Sequence, residues 1–183
     1  MSFTLTEQDC LVLLQTAREA IGARLASRSP RYPPPTAAVS APRGAFVTLK
    51  AKGDLRGCIG HITASRALVD TVKEVALSSA FDDPRFPPLR PEEWDRVRIE
   101  ISVLSPFEPI TDVNRIEVGV HGIMIRQGNH SGLLLPQVAT EQVWDRGRFL
   151  SHTCLKAGLP GDAWSWPNTR IEIFSAQVFA EKE

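Results

Sequence analysis

Two extended runs, Ala45 to Ala51 and Leu55 to Ile62, flank the three residues Lys52-Gly53-Asp54. A connection that short, with a glycine in it, joins antiparallel neighbours, so this stretch is committed to a β-hairpin. The second arm holds Leu55-Arg56-Gly57-Cys58-Ile59-Gly60, a cysteine set between two glycines. Gly57 and Gly60 remove side chains that would hold a ligand or a second backbone away. In a regular strand Arg56 and Cys58 share a face, and a cation at that range favours the thiolate, the reactive form of the sulfur. The same run also reads as a glycine-softened arm whose cysteine is a small apolar filler.

The rest of the chain punctuates itself clearly. Thr6 followed by Asp9 reads as a helix start, with Cys10, Leu14, Ala17, Ile21 and Leu25 on one buried stripe. Five prolines between Ser29 and Arg43 predict a wrap-around loop or linker. A second helix is expected from about Ser65 to Ala80, with Leu68, Val72, Val75 and Ser79 facing the core. Pro91-Glu92-Glu93 reads as the first turn of a short helix, and Val97, Ile99, Ile101 and Val103 alternate as a half-buried strand. A further strand lies within Val118 to Gln127, then a turn over Gly128 to Gly132 and a short strand from Leu133 to Leu135 that Pro136 stops. A third long helix is expected to open at Thr140-Glu141 and bury Val143, Gly147, Leu150, Cys154 and Ala157. The tail, Arg170 to Phe179, returns as one strand. Strands and helices mix without strict alternation, which gives an α+β fold with a largely antiparallel sheet flanked by helices.

Composition narrows the function. With 183 residues the chain can bury a proper core as one domain, or one domain with an appended lobe. The 21 Lys and Arg balance the 21 Asp and Glu, so there is no long-range field for phosphate backbones and general nucleic-acid binding is disfavoured unless the basic residues segregate onto one face. Three cysteines without CxxC spacing suggest neither a disulfide framework nor a zinc site, and no cofactor is called for. The start, Met1 to Cys10, has no basic lead and no apolar run spans a bilayer, so a cytoplasmic location and no membrane partner are expected.

Cys10 and Cys154 fall on apolar helix stripes, which leaves Cys58 as the one thiol in a chemical setting. Among the four histidines, His130 and His152 read as solvent-facing and His61 falls on the strand face opposite Cys58. His121, between Gly119 and Gly122, is the remaining candidate base, although its parity with Ile123 and Ile125 also fits a core histidine. Asp82-Asp83-Pro84-Arg85-Phe86 carries two readings. In one, Asp83 starts a turn, Phe86 plugs the core and Arg85 is a paired surface residue. In the other, Arg85 and Arg56 converge as a fork for a carboxylate or phosphate, with Asp83 orienting it. The chain lacks GxxxxGK[ST], GxGxxG, HExxH and GxSxG, and Gly57 to Gly60 matches the GxxG clamp of a KH module only in form.

Taken in order, Gly44-Ala45-Phe46-Val47-Thr48-Leu49, Leu55 to Gly60, Asp83-Pro84-Arg85-Phe86-Pro87-Pro88, Glu100-Ile101-Ser102-Val103-Leu104 and His121-Gly122-Ile123 form a recognisable series. It continues with Leu134-Leu135-Pro136-Gln137-Val138, the Trp144 helix and Cys154-Leu155-Lys156-Ala157-Gly158-Leu159. The chain thereby resembles the AMMECR domain family, in its AmmeMemoRadiSam system branch, from the first helix to the last strand. The resemblance implies one AMMECR domain over residues 1–183, with a larger and a smaller lobe beside a cleft near the cysteine motif. It also implies partnership with a Memo-like protein, similar to extradiol dioxygenases, and with a radical SAM enzyme. His61 lies outside the family pattern.

Two functions follow. In the first the chain is an accessory module that uses Arg56, Gly57, Cys58, Gly60, Asp83, Arg85 and His121 to hold a small anionic ligand or a modified peptide. In the second Cys58 is a nucleophile, with N–H groups around Gly57 and Gly60 stabilising an oxyanion. Nucleic-acid binding is a remote third.

Overall fold

A computed structural model describes residues 4–182. Along the chain run α1 (Glu7–Leu25), α2 (Ala37–Ser40), β1 (Ala45–Ala51), β2 (Asp54–His61), α3 (Leu68–Phe81) and β3 (Val97–Leu104). There follow β4 (Glu108–Ile110), β5 (Gly122–Gln127), β6 (His130–Leu134), α4 (Pro136–Glu141), α5 (Arg146–Lys156), β7 (Arg170–Phe174) and β8 (Ala176–Ala180). Helices and antiparallel sheets are mixed, as the α+β reading expects. The described residues form two compact units: 4–104 with 177–182, and 105–176.

In the first unit the sheet order is β2-β1-β3-β8. Lys52 and Gly53, at φ 54° and 88°, make the tight turn between β1 and β2, the left-handed pair that matches strand twist. Ala45, Val47 and Leu49 of β1 and Val97, Ile99, Ile101 and Val103 of β3 are fully buried against Leu13, Ala17 and Ile21 of α1 and Leu68, Val72 and Val75 of α3. Burying each of the larger aliphatic side chains stabilises the fold by about 1.5–3 kcal/mol. The Thr6 hydroxyl and the Asp9 carboxylate cap α1 reciprocally. The proline-rich stretch is ordered: Thr36 caps the short α2, and its Val39 is sealed in the core.

In the second unit the order is β4-β7-β5-β6, with Ile116, Ile123, Ile125 and Ile173 packed on Phe149, Leu150 and Cys154 of α5. Three boundaries differ from the sequence expectation. The third long helix is two helices, because Asp145 accepts the Arg148 N–H at 2.8 Å and starts α5 afresh. Before it, Val143 takes φ 53° and is 85% exposed. Its N–H bonds the Thr140 carbonyl while the Trp144 N–H bonds that of Ala139, the double bond pattern that ends a helix. The expected tail strand breaks at Ser175, so that β7 joins the second sheet and β8 the first. Finally, the turn expected over Gly128 to Gly132 is shorter, since His130–Leu134 already pairs with β5, and that strand begins only at Gly122.

Candidate functional site

The hairpin register sets the site. Thr48 lies opposite Cys58, and Leu49 opposite Gly57, but the register shifts after Leu49 so that Lys50 meets Leu55. Arg56 is the extra residue of this bulge. The regular alternation that would align it with Cys58 is broken there. Its guanidinium turns to Glu93, with Nε and Nη2 donating to the two carboxylate oxygens at 2.9 and 3.1 Å. Glu93 sits in the turn Pro91–Arg96, and Arg56 holds its carboxyl below the usual range. The expected pairing of Arg56 with the sulfur is therefore replaced by a bidentate ion pair.

Helix α3 ends directly on the motif. A Cβ on Gly57 would run into the Ser79 carbonyl, so this position must be glycine for the helix to approach. The Ser79 hydroxyl accepts the Ile59 N–H at 2.9 Å and donates to the Val47 carbonyl at 2.8 Å, linking the two strands through one oxygen. The room beside Gly60 is filled by the Phe46 ring. Both glycine spaces that could admit a ligand are thus taken by the protein itself.

The turn after α3 completes the site. Asp83 is 4% exposed; its Oδ2 accepts the Cys58 N–H at 2.9 Å and Arg85 Nη2 at 2.7 Å, and its Oδ1 accepts the Arg85 N–H and Nε at 3.1 and 3.0 Å. Arg85 Nη2 also donates to the Cys58 carbonyl at 3.0 Å. Asp83 and Arg85 together thus satisfy both backbone groups of Cys58, as a neighbouring strand would, and close an otherwise open sheet edge at this point. The Arg85 side chain, burial opposing, holds the Asp83 carboxyl far below the usual carboxylate range. Asp83 in turn raises the Arg85 pKa, with the Cys58 side chain a lesser contributor. Arg85, and not Arg56, is thus the guanidinium held against the Cys58 backbone. The two predicted arginines do converge, but on an aromatic ring: the Arg85 and Arg56 Cζ atoms lie 5.6 and 5.9 Å from the centroid of Phe86.

Cys58 is partly exposed, and its Sγ accepts the Thr48 hydroxyl at 3.3 Å. Glu100 lies across Thr48 on β3, where its carboxylate is held by Lys50 Nζ at 2.9 Å. The amides of Cys58 and Ile59 are committed to Asp83 and Ser79, so neither is free to serve an oxyanion. Among the described residues no three His, Cys, Asp or Glu side chains come together as metal ligands.

An independent comparison decides the family: the AMMECR1 family model matches residues 14–179. The chain belongs to the AMMECR1 family. Protein MK0488 of Methanopyrus kandleri is 47% identical over 193 residues, covering 100% of this chain and 93% of that protein. A Pyrobaculum arsenaticum protein is 39% identical, covering 99% and 89%. The crystal structure of the uncharacterized protein PH0010 from Pyrococcus horikoshii superposes with a TM-score of 0.89 at 39% identity, over 98% of this chain and 95% of that one.

Within this AMMECR1-family chain, Arg56, Gly57, Cys58, Gly60, Asp83 and Arg85 all lie in the first unit, and His121 in the second. His121 Nδ1 accepts the Glu117 N–H at 3.1 Å, closing the turn before β5; it is neither a fully buried core histidine nor an unoccupied base. His61 meets Glu74 at 3.0 Å. The sequence reading does not place Thr48, Ser79 or Glu93 in the site. Thr48 could have been found by counting back through the two-residue turn, whereas no local signal marks Glu93 as the partner of a residue 37 positions earlier. No described helix is long and apolar enough to cross a membrane.

Proposed function

We propose that this AMMECR1-family chain is an accessory binding module, acting with a Memo-like protein and a radical SAM enzyme, that takes a carboxylate- or phosphate-bearing small molecule or modified peptide at Arg85 beside Cys58. The observation that carries this reading is the state of the Arg85 guanidinium. One edge is fixed by Asp83 and the Cys58 carbonyl, Nη1 makes no hydrogen bond among the described residues, and the side chain is 54% exposed. A cation held still by its neighbours, with two N–H groups unspent, is preorganised for an anionic oxygen. Arg56, buried in its pair with Glu93, contributes to the frame and not to the ligand.

Titration with a panel of dicarboxylates and phosphopeptides, followed through the amide resonances of Cys58 and Phe86, tests it. Arg85→Gln should abolish the shifts and Arg56→Gln should leave them in place. Loss in both variants alike, or no member of the panel binding, contradicts the reading. Co-purification with a Memo-like or radical SAM protein tests the partnership separately.

The second reading, Cys58 as a nucleophile, is favoured by the Thr48 hydroxyl donating to Sγ, since a donor on sulfur steadies a thiolate. Among the described residues no base hydrogen-bonds Sγ, and the amides of Cys58 and Ile59 are taken by Asp83 and Ser79, which is why binding stands first.

A further inference from the structure

The far end of β2 builds a second polar corner, which the Arg85 site does not use. His61, Thr63, Ser65 and Arg66 face Thr71 and Glu74 of α3 around a hollow of about 130 Å³. Glu74 is engaged at both oxygens: one meets His61 Nε2 at 3.0 Å and the other takes Arg66 Nη1. Thr71 is the anomaly. It is 1% exposed, and its Oγ1 has no hydrogen-bond partner among the described residues. The other two buried helical threonines, Thr16 and Thr153, donate to the carbonyls of Val12 and Phe149, four residues back, at 2.7 Å each. The equivalent acceptor for Thr71, the Ala67 carbonyl, takes the amides of Asp70 and Thr71 at 3.0 Å and receives nothing from Oγ1. A buried hydroxyl left unpaired in this way needs an explanation, and here it lines a cavity.

Most of what remains unspent around that cavity can donate. Arg66 Nε and Nη2 and the hydroxyls of Thr63, Ser65 and Thr71 make no hydrogen bond among the described residues, while the one carboxylate is already engaged at both oxygens. A donor-rich corner with a guanidinium suits a compact group made of acceptors. The volume equals roughly four waters, enough for one tetrahedral oxyanion. We infer that the corner formed by His61, Thr63, Ser65, Arg66, Thr71 and Glu74 is a binding site for a phosphate group, either the free ion or a monoester end.

Inorganic phosphate and glycerol 3-phosphate, against chloride at matched ionic strength, test this by thermal melting and by amide shifts of residues 61–74. Both phosphates should raise the melting temperature saturably if the monoester end is accepted; a rise with inorganic phosphate alone assigns the site to the free ion. Thr71→Val, which keeps the shape and removes the orphan hydroxyl, should melt higher than the parent without phosphate and bind it about tenfold more weakly. Read from the amide shifts of residues 61–74, Thr71→Ser should keep the affinity and Arg66→Gln should lose about tenfold or more. Equal stabilisation by chloride, or unchanged phosphate affinity in Thr71→Val, overturns the inference.

Discussion

The buried carboxylate of Asp83 accepts the backbone N–H of Cys58 at 2.9 Å, while Arg85, clamped to the same carboxylate, donates to the Cys58 carbonyl at 3.0 Å. A side-chain pair two residues apart thus does for one residue of an edge strand what a further strand would do. The thiol is presented from a peptide that is fixed on both sides, next to a guanidinium with an open edge.

Acid should weaken this pair. A carboxyl whose folded pKa is depressed contributes stability that is fully present above its unfolded value, about 3.9, and is lost as pH falls below it. Asp83 is held far below that value by Arg85, so urea midpoints of the parent should drop steeply below about pH 4. Asp83→Asn should be less stable at pH 7, by about 2–3 kcal/mol, with a flatter acid limb. Parallel limbs for parent and variant would contradict the assignment.

The join between α3 and the motif should tolerate little. Gly57→Ala forces a methyl against the helix backbone at Ser79, at a cost of about 3 kcal/mol. Ser79→Ala strips the hydroxyl that serves Ile59 and Val47, costing about 1–3 kcal/mol. Chemical denaturation measures both; a neutral Gly57→Ala would mean the helix end can withdraw.

How much of this could be read in advance depended on sequence distance. The Thr6 and Asp9 cap, the Leu68, Val72, Val75 stripe and the Val97 to Val103 alternation are local patterns, and each element stands where its pattern predicts. Asp83 and Arg85 were legible as a turn with a charged fork. That they grip Cys58 was not, because the contact closes a loop of 25 residues that nothing in the local pattern measures. Arg56 misled for a geometric reason: strand parity holds only in an unbroken strand, and the shift after Leu49 takes Arg56 out of it. The tail misled because one apolar run carries two strands, divided at Ser175 between two sheets.

The break at Val143 offers a stabilising change. A β-branched residue at φ 53° is strained, and its side chain, 85% exposed, packs on little. Val143→Gly should raise stability by about 1 kcal/mol, read as a higher thermal midpoint. A loss of stability would show that the valine makes contacts worth more than its backbone costs.

The central claim, that Arg85 offers a carboxylate site beside the Cys58 sulfur, is tested most directly by alkylation. Iodoacetate and iodoacetamide differ in carrying a carboxylate or an amide, and peptide mass spectrometry reads each cysteine separately. Relative to partly buried Cys10 in the same sample, Cys58 should favour iodoacetate over iodoacetamide by about tenfold, and this preference should vanish in Arg85→Gln and persist in Arg56→Gln. The same ratio at Cys58 and Cys10, or a preference that survives Arg85→Gln, would contradict the account.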